Sequence, residues 1–119
     1  MSQGKVGYRK LLVWQVADEL AFAIYQATKQ FPGDERYGMT SQLRRAALSV
    51  STNIVEGSGR QGKKELKQFT NMALGSLAEV GYLLGFCHRL GYLTMTGYQE
   101  LEEKRGQTGK LLWGFYCSL

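Results

Sequence analysis

The sequence predicts an all-α fold, specifically one domain over residues 1–119 that forms an antiparallel, up-down-up-down four-helix bundle. Apolar residues recur at intervals of three and four in four separate segments, which is the spacing of one face of an α-helix. The 119 residues include one proline, Pro32, whereas an all-β domain needs many turns. Hydrophobic residues make up 44% of the chain, which is enough for a hydrophobic core.

The first segment combines a lead-in with one long helix. Residues 1–7 contain two glycines and no apolar pattern, so they are predicted to be a loose N-terminal lead-in. A helix is predicted from Leu11 to about Gln30. Its apolar face consists of Val13, Val16, Leu20, Ile24 and Ala27. Pro32 ends this helix because proline lacks an N–H donor and disfavours helical geometry in the residue before it.

The second helix is predicted to begin at a cap formed by Thr40 or Ser41. Its apolar face consists of Leu43, Ala47, Val50 and Ile54. Gly57 is expected to end this helix in the left-handed conformation, which glycine adopts without a steric penalty.

Two further helices complete the bundle. The third is predicted from near Lys63 to Leu90, on a heptad-like spacing of apolar residues, with Gly91 following its last turn. The fourth is predicted to begin with a capping box formed by Thr96 and Gln99. Gly106, Gly109 and Gly114 each cost about 1 kcal/mol relative to alanine inside a helix, so it is the weakest helix by propensity.

Several function classes have no support in the sequence. No apolar run approaches the roughly 20 residues that span a bilayer, and no export signal is evident, so a cytoplasmic protein is expected. The two cysteines, Cys87 and Cys117, do not make a disulfide framework and are expected to be reduced. The only histidine, His88, has no glutamate three residues before it, as a di-iron bundle would require. We therefore predict no metal, no cofactor and no membrane partner.

The glycine-rich segment from Gly57 to Lys64 fits two nucleotide-binding patterns when it is taken in isolation. It matches GxGxxG, and it matches the phosphate loop except that Lys64 replaces the closing hydroxyl residue. Both patterns bind phosphate only where a strand enters the turn and a helix receives the phosphate. Because the residues before Gly57 have a helical period, we interpret the segment as a turn between helices.

Basic residues surround that same turn. The chain has a formal net charge of +5, and Arg60, Lys63, Lys64 and Lys67 lie within eight residues of one another. Lysines at a helix N-terminus oppose the helix dipole, a cost that contacts with a phosphate backbone would offset. These four residues are the candidate nucleic-acid-binding site, and a solvated lysine face is the alternative.

A polar stripe runs beside the apolar face of the second helix and continues on the third. Its members are Arg45, Ser49, Asn53, Glu56, Ser76 and Glu79. We expect a buried or half-buried hydrogen-bonded cluster in which Arg45 faces Glu56 or Glu79, because an unpaired buried charge is strongly destabilising. The cluster has two interpretations: it sets helix register or subunit contacts, or it forms a small polar site for a ligand or for catalysis.

Glycines and aromatic residues suggest close packing. Gly75, Gly81 and Gly85 in the third helix, with Gly106 and Gly109 in the fourth, permit close approach of a neighbouring backbone within or between subunits. The chain also has more aromatic residues than one small core requires, and aromatic residues are enriched at interfaces.

A combination of residues along the chain matches the pattern of a known family. The matching positions are Trp14, Phe31-Pro32, Glu35-Arg36-Tyr37-Gly38, Ser41 to Ala47, Ser49, Asn53-Ile54, Glu56-Gly57, Arg60, Phe69, Ala73, Gly75-Ser76-Leu77 and Glu79. From about Tyr8 to the C-terminus, the chain resembles the bacterial four-helix-bundle proteins encoded in intervening sequences of large-subunit ribosomal RNA genes. It is also similar to the accessory protein of diversity-generating retroelements, a basic pentamer that works with a reverse transcriptase and nucleic acid. The resemblance implies a four-helix bundle that assembles as a homopentamer and has no established enzymatic activity.

Three functional hypotheses follow from these observations. The first is a non-enzymatic, homo-oligomeric protein that associates with RNA or DNA through Arg60, Lys63, Lys64 and Lys67. The second is a structural or protein-interaction module with no nucleic-acid role. The third, with the least support, is an enzyme that uses Glu56 and Glu79 as a carboxylate pair.

Overall fold

The computed structural model describes the backbone of residues 3–119 and the side chains of residues 7–119. It contains five α-helices: α1 (Gln3–Lys10), α2 (Leu12–Thr28), α3 (Met39–Ser58), α4 (Lys63–Arg89) and α5 (Met95–Ser118). A 3₁₀ turn (Gly33–Glu35) lies between α2 and α3, and no strand occurs over residues 3–119. The prediction of an all-α fold is confirmed.

The four long helices, α2 to α5, pack side by side in an elongated bundle of 46 × 23 × 19 Å. Each backbone lies close to that of the next helix in sequence, and α5 also returns to lie beside α2, while the backbones of helices on opposite corners do not come close. Between α3 and α4, Ser49 bonds to Ser76 and the space at Gly57 is bounded by Phe69. Residues with higher numbers on α3 therefore lie beside residues with lower numbers on α4, so these two helices are antiparallel.

The same antiparallel register relates α4 to α5. The side chain of Leu77 lies 3.4 Å from the position of a Cβ at Gly109, and the Arg105 guanidinium lies over Gly81. The chain thus folds back on itself at the α4–α5 connection as it does at the α3–α4 turn.

The hydrophobic core lies on the axis of the bundle and receives side chains from all four long helices. Residues with less than 2% exposure include Leu20, Ile24, Leu43, Val50, Ile54, Val80, Leu84 and Leu112. Burying each of the larger aliphatic side chains contributes about 1.5–3 kcal/mol to folding. These residues are the apolar faces that the spacing of three and four predicted.

The N-terminal segment differs from the prediction. Residues 3–7 were expected to be a loose lead-in, but they belong to helix α1; Met1 and Ser2 lie outside the described residues. The helix is interrupted at Leu11, whose N–H donates to the Tyr8 carbonyl at 3.0 Å. The rings of Tyr8 and Trp14 then meet edge to face, with centroids 5.1 Å apart. The short helix contacts α2 and α3, and tertiary contacts of this kind can override a weak local helix propensity.

The start of α3 also differs from the prediction. The helix begins at Met39, so Thr40 and Ser41 lie inside its first turn and do not cap it. The N–H of Met39 instead donates to Glu35 Oε1 at 3.0 Å. A carboxylate at this position satisfies a free donor and interacts favourably with the helix dipole.

The cap of α5 is Thr94 rather than Thr96. The Thr94 hydroxyl accepts the N–H of Gly97 at 3.0 Å, and the helix begins at Met95. The predicted pair of Thr96 and Gln99 therefore lies within the helix. A threonine two residues earlier satisfies the same kind of donor, and the sequence pattern alone did not distinguish the two.

Gly57 does not end α3 in a left-handed conformation, because the helix continues to Ser58 and Gly57 has no positive φ. Its role is to let two helices approach each other. A Cβ at this position would lie 2.8 Å from the Cβ of Phe69 and 3.0 Å from Leu66 Cδ1. Gly91, by contrast, follows α4 with φ of +81°, as expected.

Glu35 joins the two connections at one end of the bundle. Its Oε2 accepts the hydroxyl of Tyr92 at 2.7 Å, while its Oε1 accepts the N–H of Met39. The hydrogen bond from Met39, followed by that from Tyr92, lowers the pKa of the Glu35 carboxyl. The same hydrogen bond to Glu35 raises the pKa of Tyr92 to about 12.

Candidate functional site

The turn between α3 and α4 is an exposed connection between two helices. Residues 59–62 all face solvent, and helices flank them on both sides. The nucleotide-binding patterns need a strand before the turn, and α3 occupies that place. The interpretation of the segment as an interhelical turn is confirmed.

Four cations surround this turn, and we call Arg60, Lys63, Lys64 and Lys67 the basic turn. Two of them rest against aromatic rings of the bundle. The guanidinium carbon of Arg60 lies 5.0 Å from the ring centroid of Phe69, and Lys67 Nζ lies 4.9 Å from that of Tyr116. Cation–π contacts of this kind hold the two charges at a defined end of the molecule.

The other two cations project freely. Lys63 and Lys64 are the first two residues of α4 and both are exposed. Two acidic residues, Glu56 and Glu65, lie in the same stretch of sequence, and no cation of the basic turn forms an ion pair with a described side chain. The basic turn therefore carries more positive than negative charge, and its four cations are unpaired within the described part of the chain.

The polar stripe is partly assembled in the structure. Ser49 Oγ and Ser76 Oγ lie 2.9 Å apart across the α3–α4 interface, and either can donate. The Asn53 amide nitrogen donates to the Ser49 carbonyl at 2.8 Å and to its hydroxyl at 3.1 Å. These three residues are half-buried and form the hydrogen-bonded centre that the spacing predicted.

The charged members of the stripe do not behave as predicted. Arg45, Glu56 and Glu79 are exposed, and the expected pairing of Arg45 with either glutamate is wrong. Within residues 7–119 the ion pair that forms joins Arg105 to Glu102 on α5. Exposed charges are solvated by water, so no pairing is required there.

A shallow cavity of about 280 Å³ lies over the stripe. Its lining consists of Gln42, Arg45, Ala46, Ser49, Ser76 and Glu79. Glu56 does not line this cavity, so the cavity holds one glutamate of the pair that the enzyme hypothesis requires.

A larger groove of about 420 Å³ separates the outer faces of α4 and α5. Its lining consists of Gly81, Tyr82, Gly85, Phe86, His88, Arg89 and Tyr98. The rings of His88 and Tyr98 stack with centroids 4.8 Å apart and planes 15° apart. Glycines form part of its floor, and Tyr82 is 66% exposed at its edge.

The helix glycines that the sequence singled out divide into two groups. A Cβ at Gly57, Gly81, Gly85 or Gly109 would come within 4 Å of a neighbouring helix of the same chain, so these glycines allow packing within the bundle. A Cβ at Gly75 or Gly106 would meet nothing within 4 Å, so these two leave open surface.

A third cavity, of about 240 Å³, lies at the end of the bundle away from the basic turn. Its lining consists of Thr28, Lys29, Phe31, Pro32, Gly33, Arg36, Thr40 and Arg44. Sequence reasoning missed it because its cations come from the end of α2, the connection and α3, and no local spacing relates them. The one signal in the sequence was that three cations, Lys29, Arg36 and Arg44, lie near Pro32 along the chain.

The residues with reactive side chains do not assemble into a reactive centre. Cys87 is buried, and its burial raises the pKa of the thiol to about 11, which keeps it protonated. Cys117 is exposed, and neither cysteine is in a disulfide. Over the described residues, no group of three or more His, Cys, Asp or Glu is close enough to hold a metal ion. Nor does any helix in that part of the chain have the length and apolar character to cross a membrane.

Comparison with known proteins places the chain in a family. No curated protein matches it. A crystal structure from Bacteroides thetaiotaomicron, of a protein with unknown function from the S23 ribosomal protein family, is similar at a TM-score of 0.82. The two sequences are 24% identical, and the match covers 88% of this chain and 95% of that one, a likeness that concerns the fold. The family described as 23S rRNA-intervening sequence protein matches residues 9–114, so the chain belongs to this family.

Proposed function

We propose that the protein is a non-enzymatic, self-associating bundle that binds nucleic acid through the basic turn. The observation that carries this proposal is the cluster of four cations at one end of the molecule, Arg60, Lys63, Lys64 and Lys67, which are unpaired over residues 7–119. Nucleic-acid backbones release condensed counterions when lysine and arginine neutralise their phosphates, which makes such a surface an effective binding site.

The position of the two free lysines supports this function. Lys63 and Lys64 occupy the first turn of α4, where the helix dipole is positive, so each is unfavourable by about 0.3–1 kcal/mol in the free protein. A phosphate placed at this end would interact with both lysines and with the helix N-terminus. The family description names 23S rRNA intervening sequences, which makes structured RNA the first probe to use.

Self-association is proposed to use the outer faces of α4 and α5, including the groove between them. Exposed aromatic residues are typical of interfaces: Tyr82, which lines the groove, is 66% exposed, and Trp113, farther along α5, is 57% exposed. Gly106 lies on α5 outside the groove lining, and its open position would let a second copy approach the helix backbone closely. The resemblance implies a pentamer, and native mass spectrometry of the wild-type protein and of Tyr82→Ser tests both the state and the surface.

The absence of enzymatic activity is part of the proposal. Its support is that the Cys87 thiol is buried and protonated, and that Glu56 and Glu79 do not share a cavity. The cytoplasm is the compartment we propose, because Cys87 and Cys117 are both free thiols.

Binding should be measured by fluorescence anisotropy with labelled structured RNA and duplex DNA. The variant is Lys63→Glu with Lys64→Glu, and the matched control is Lys104→Glu with Lys110→Glu, which makes the same charge change at exposed sites on α5. We expect the first variant to weaken binding and to reduce the salt slope by about 2, one for each lysine. Equal effects of both double variants would show that net charge, not the basic turn, governs binding.

The second candidate function is a protein-interaction module with no nucleic-acid role. The exposed aromatic groove favours it, because such surfaces bind proteins as readily as they bind copies of the same chain. No binding of either nucleic acid at low salt, together with retained self-association, would select this function.

A further inference from the structure

We infer that the cavity formed by the end of α2, the α2–α3 connection and α3 binds a phosphate group; we call it the phosphate pocket. Its volume of about 240 Å³ is below the roughly 300–1,000 Å³ of pockets for drug-sized ligands, so it suits one small group rather than a whole cofactor. The pocket lies at the end of the bundle opposite the basic turn, and the inference does not depend on the proposed function.

Arg44 is held in a fixed position at this pocket. Its Nε donates to Thr28 Oγ1 at 2.7 Å, and its Nη2 donates to the Tyr25 carbonyl at 3.1 Å. The guanidinium carbon also lies 4.6 Å from the ring centroid of Tyr25. A guanidinium has five N–H donors, so three remain for a ligand. An arginine whose geometry is already fixed loses little entropy when it binds an oxyanion.

The charge of the pocket is strongly one-sided. Lys29, Arg36 and Arg44 line it, and none of its eight lining residues is acidic. None of the three cations forms an ion pair with a side chain of residues 7–119. Three like charges around one cavity repel one another in the free protein, and an anion between them removes that repulsion.

Two carboxylates lie in the same connection but do not line the pocket. The oxygens of Glu35 accept the N–H of Met39 and the hydroxyl of Tyr92, and Asp34 is exposed to solvent. Both carboxylates stay charged, so the positive character belongs to the lining itself, which holds three cations and no acidic residue.

A hydroxyl completes the site. Thr40 lines the pocket from the first turn of α3, and its hydroxyl makes no hydrogen bond to another described group. The start of α3 itself is already capped by Glu35, whose Oε1 accepts the N–H of Met39. The paired N–H groups of arginine, the ammonium of lysine and a hydroxyl are the kinds of donor that recognise phosphate.

Tyr37 indicates what the phosphate is attached to. This tyrosine follows Arg36 directly and is 88% exposed, and the Arg36 guanidinium carbon lies 5.9 Å from its ring centroid. An exposed ring beside a phosphate site provides a surface on which a base can stack. The ligand that fits is thus a nucleotide phosphate, supplied either by a free nucleotide or by a nucleic-acid strand.

Isothermal titration calorimetry tests the pocket with four probes: inorganic phosphate, a nucleoside 5′-monophosphate, the nucleoside without phosphate, and a 5′-phosphorylated oligonucleotide. We expect both nucleotide probes to bind and the nucleoside not to bind. Arg36→Gln with Lys29→Gln should weaken binding at least about tenfold, because each removes a charge-assisted contact. Lys104→Gln with Lys110→Gln is the matched control and should leave binding unchanged. Arg44 is left intact because it also bonds to α2.

Several outcomes would overturn the inference: no saturation with any phosphate probe, equal binding of the nucleoside, or equal affinity of the Arg36/Lys29 variant and its control. Preference for the free nucleotide over the oligonucleotide, or the reverse, identifies the source of the phosphate. The Lys63/Lys64 charge-reversal variant separates the two proposals, because it should lower binding of long nucleic acid while leaving mononucleotide binding unchanged. Circular dichroism of each variant checks that the exposed substitutions leave the fold intact.

Discussion

Replacing Gly57 with alanine tests whether α3 and α4 are packed as closely as the structure describes. The added Cβ would lie 2.8 Å from the Cβ of Phe69, and neither atom can move away by side-chain rotation. The two helices must therefore separate locally, and overpacking of this kind costs about 1–3 kcal/mol. Alanine gains about 1 kcal/mol in helix propensity, so we expect a net loss of about 1 kcal/mol. For a domain of this size the melting temperature should fall by roughly 4 °C.

Gly75→Ala is the matched control, because a Cβ at that position meets nothing within 4 Å. This variant should be more stable than the wild type by about 1 kcal/mol, since alanine is the better helix former. Urea denaturation followed by far-UV circular dichroism measures both variants, at two protein concentrations so that assembly is accounted for. If Gly57→Ala were as stable as Gly75→Ala, the close approach of α3 and α4 would be refuted.

Further predictions concern Glu35 and the two cysteines. The pKa of Glu35 is lowered in the folded state, so the ionised carboxylate contributes fully to stability above its usual pKa of 4.5. This contribution is lost as the pH falls through the folded-state pKa. The melting temperature of the wild type should therefore fall with acidification in that range, and that of Glu35→Gln should not show this fall. Tyr92 has a raised pKa of about 12, so its contribution should be lost between pH 10 and 12, and Tyr92→Phe should be less sensitive there. Iodoacetamide should alkylate exposed Cys117 in the native protein and reach Cys87 only on unfolding, and rapid native alkylation of both would contradict the burial of Cys87.

The helices could be predicted from sequence because their apolar periodicity reflects the burial that stabilises them. The positions of Leu43, Val50 and Ile54 were correct because one face of α3 packs on the axis of the bundle. Helix ends were less predictable because several residues can satisfy the same free N–H groups. Thr94, two residues before the predicted cap, satisfies the donor at the start of α5.

The role of Gly57 shows a second limit of sequence reasoning. A glycine near a helix end is usually a conformational stop, whereas Gly57 is required by the approach of Phe69 from α4. That approach is a property of the packed bundle, and the spacing of residues within α3 carries no information about it.

The candidate sites also differ in whether the sequence alone could predict them. The basic turn could be predicted because its four residues are close in sequence and share one end of α4. The Ser49–Ser76 contact was also predictable, since both serines continue a polar stripe. The phosphate pocket was not, because Lys29 and Arg44 are brought together only when α2 packs against α3.

The salt dependence of nucleic-acid binding tests the central proposal most directly. Anisotropy titrations of the wild-type protein with structured RNA should give a linear fall of log K with log salt, and contacts by four cations correspond to a slope of about −3 to −4 per bound subunit. A slope in that range that falls by about 2 in the Lys63/Lys64 charge-reversal variant is the predicted result. Binding that is absent at low salt, or that does not change with salt, would contradict a phosphate-binding role for the basic turn.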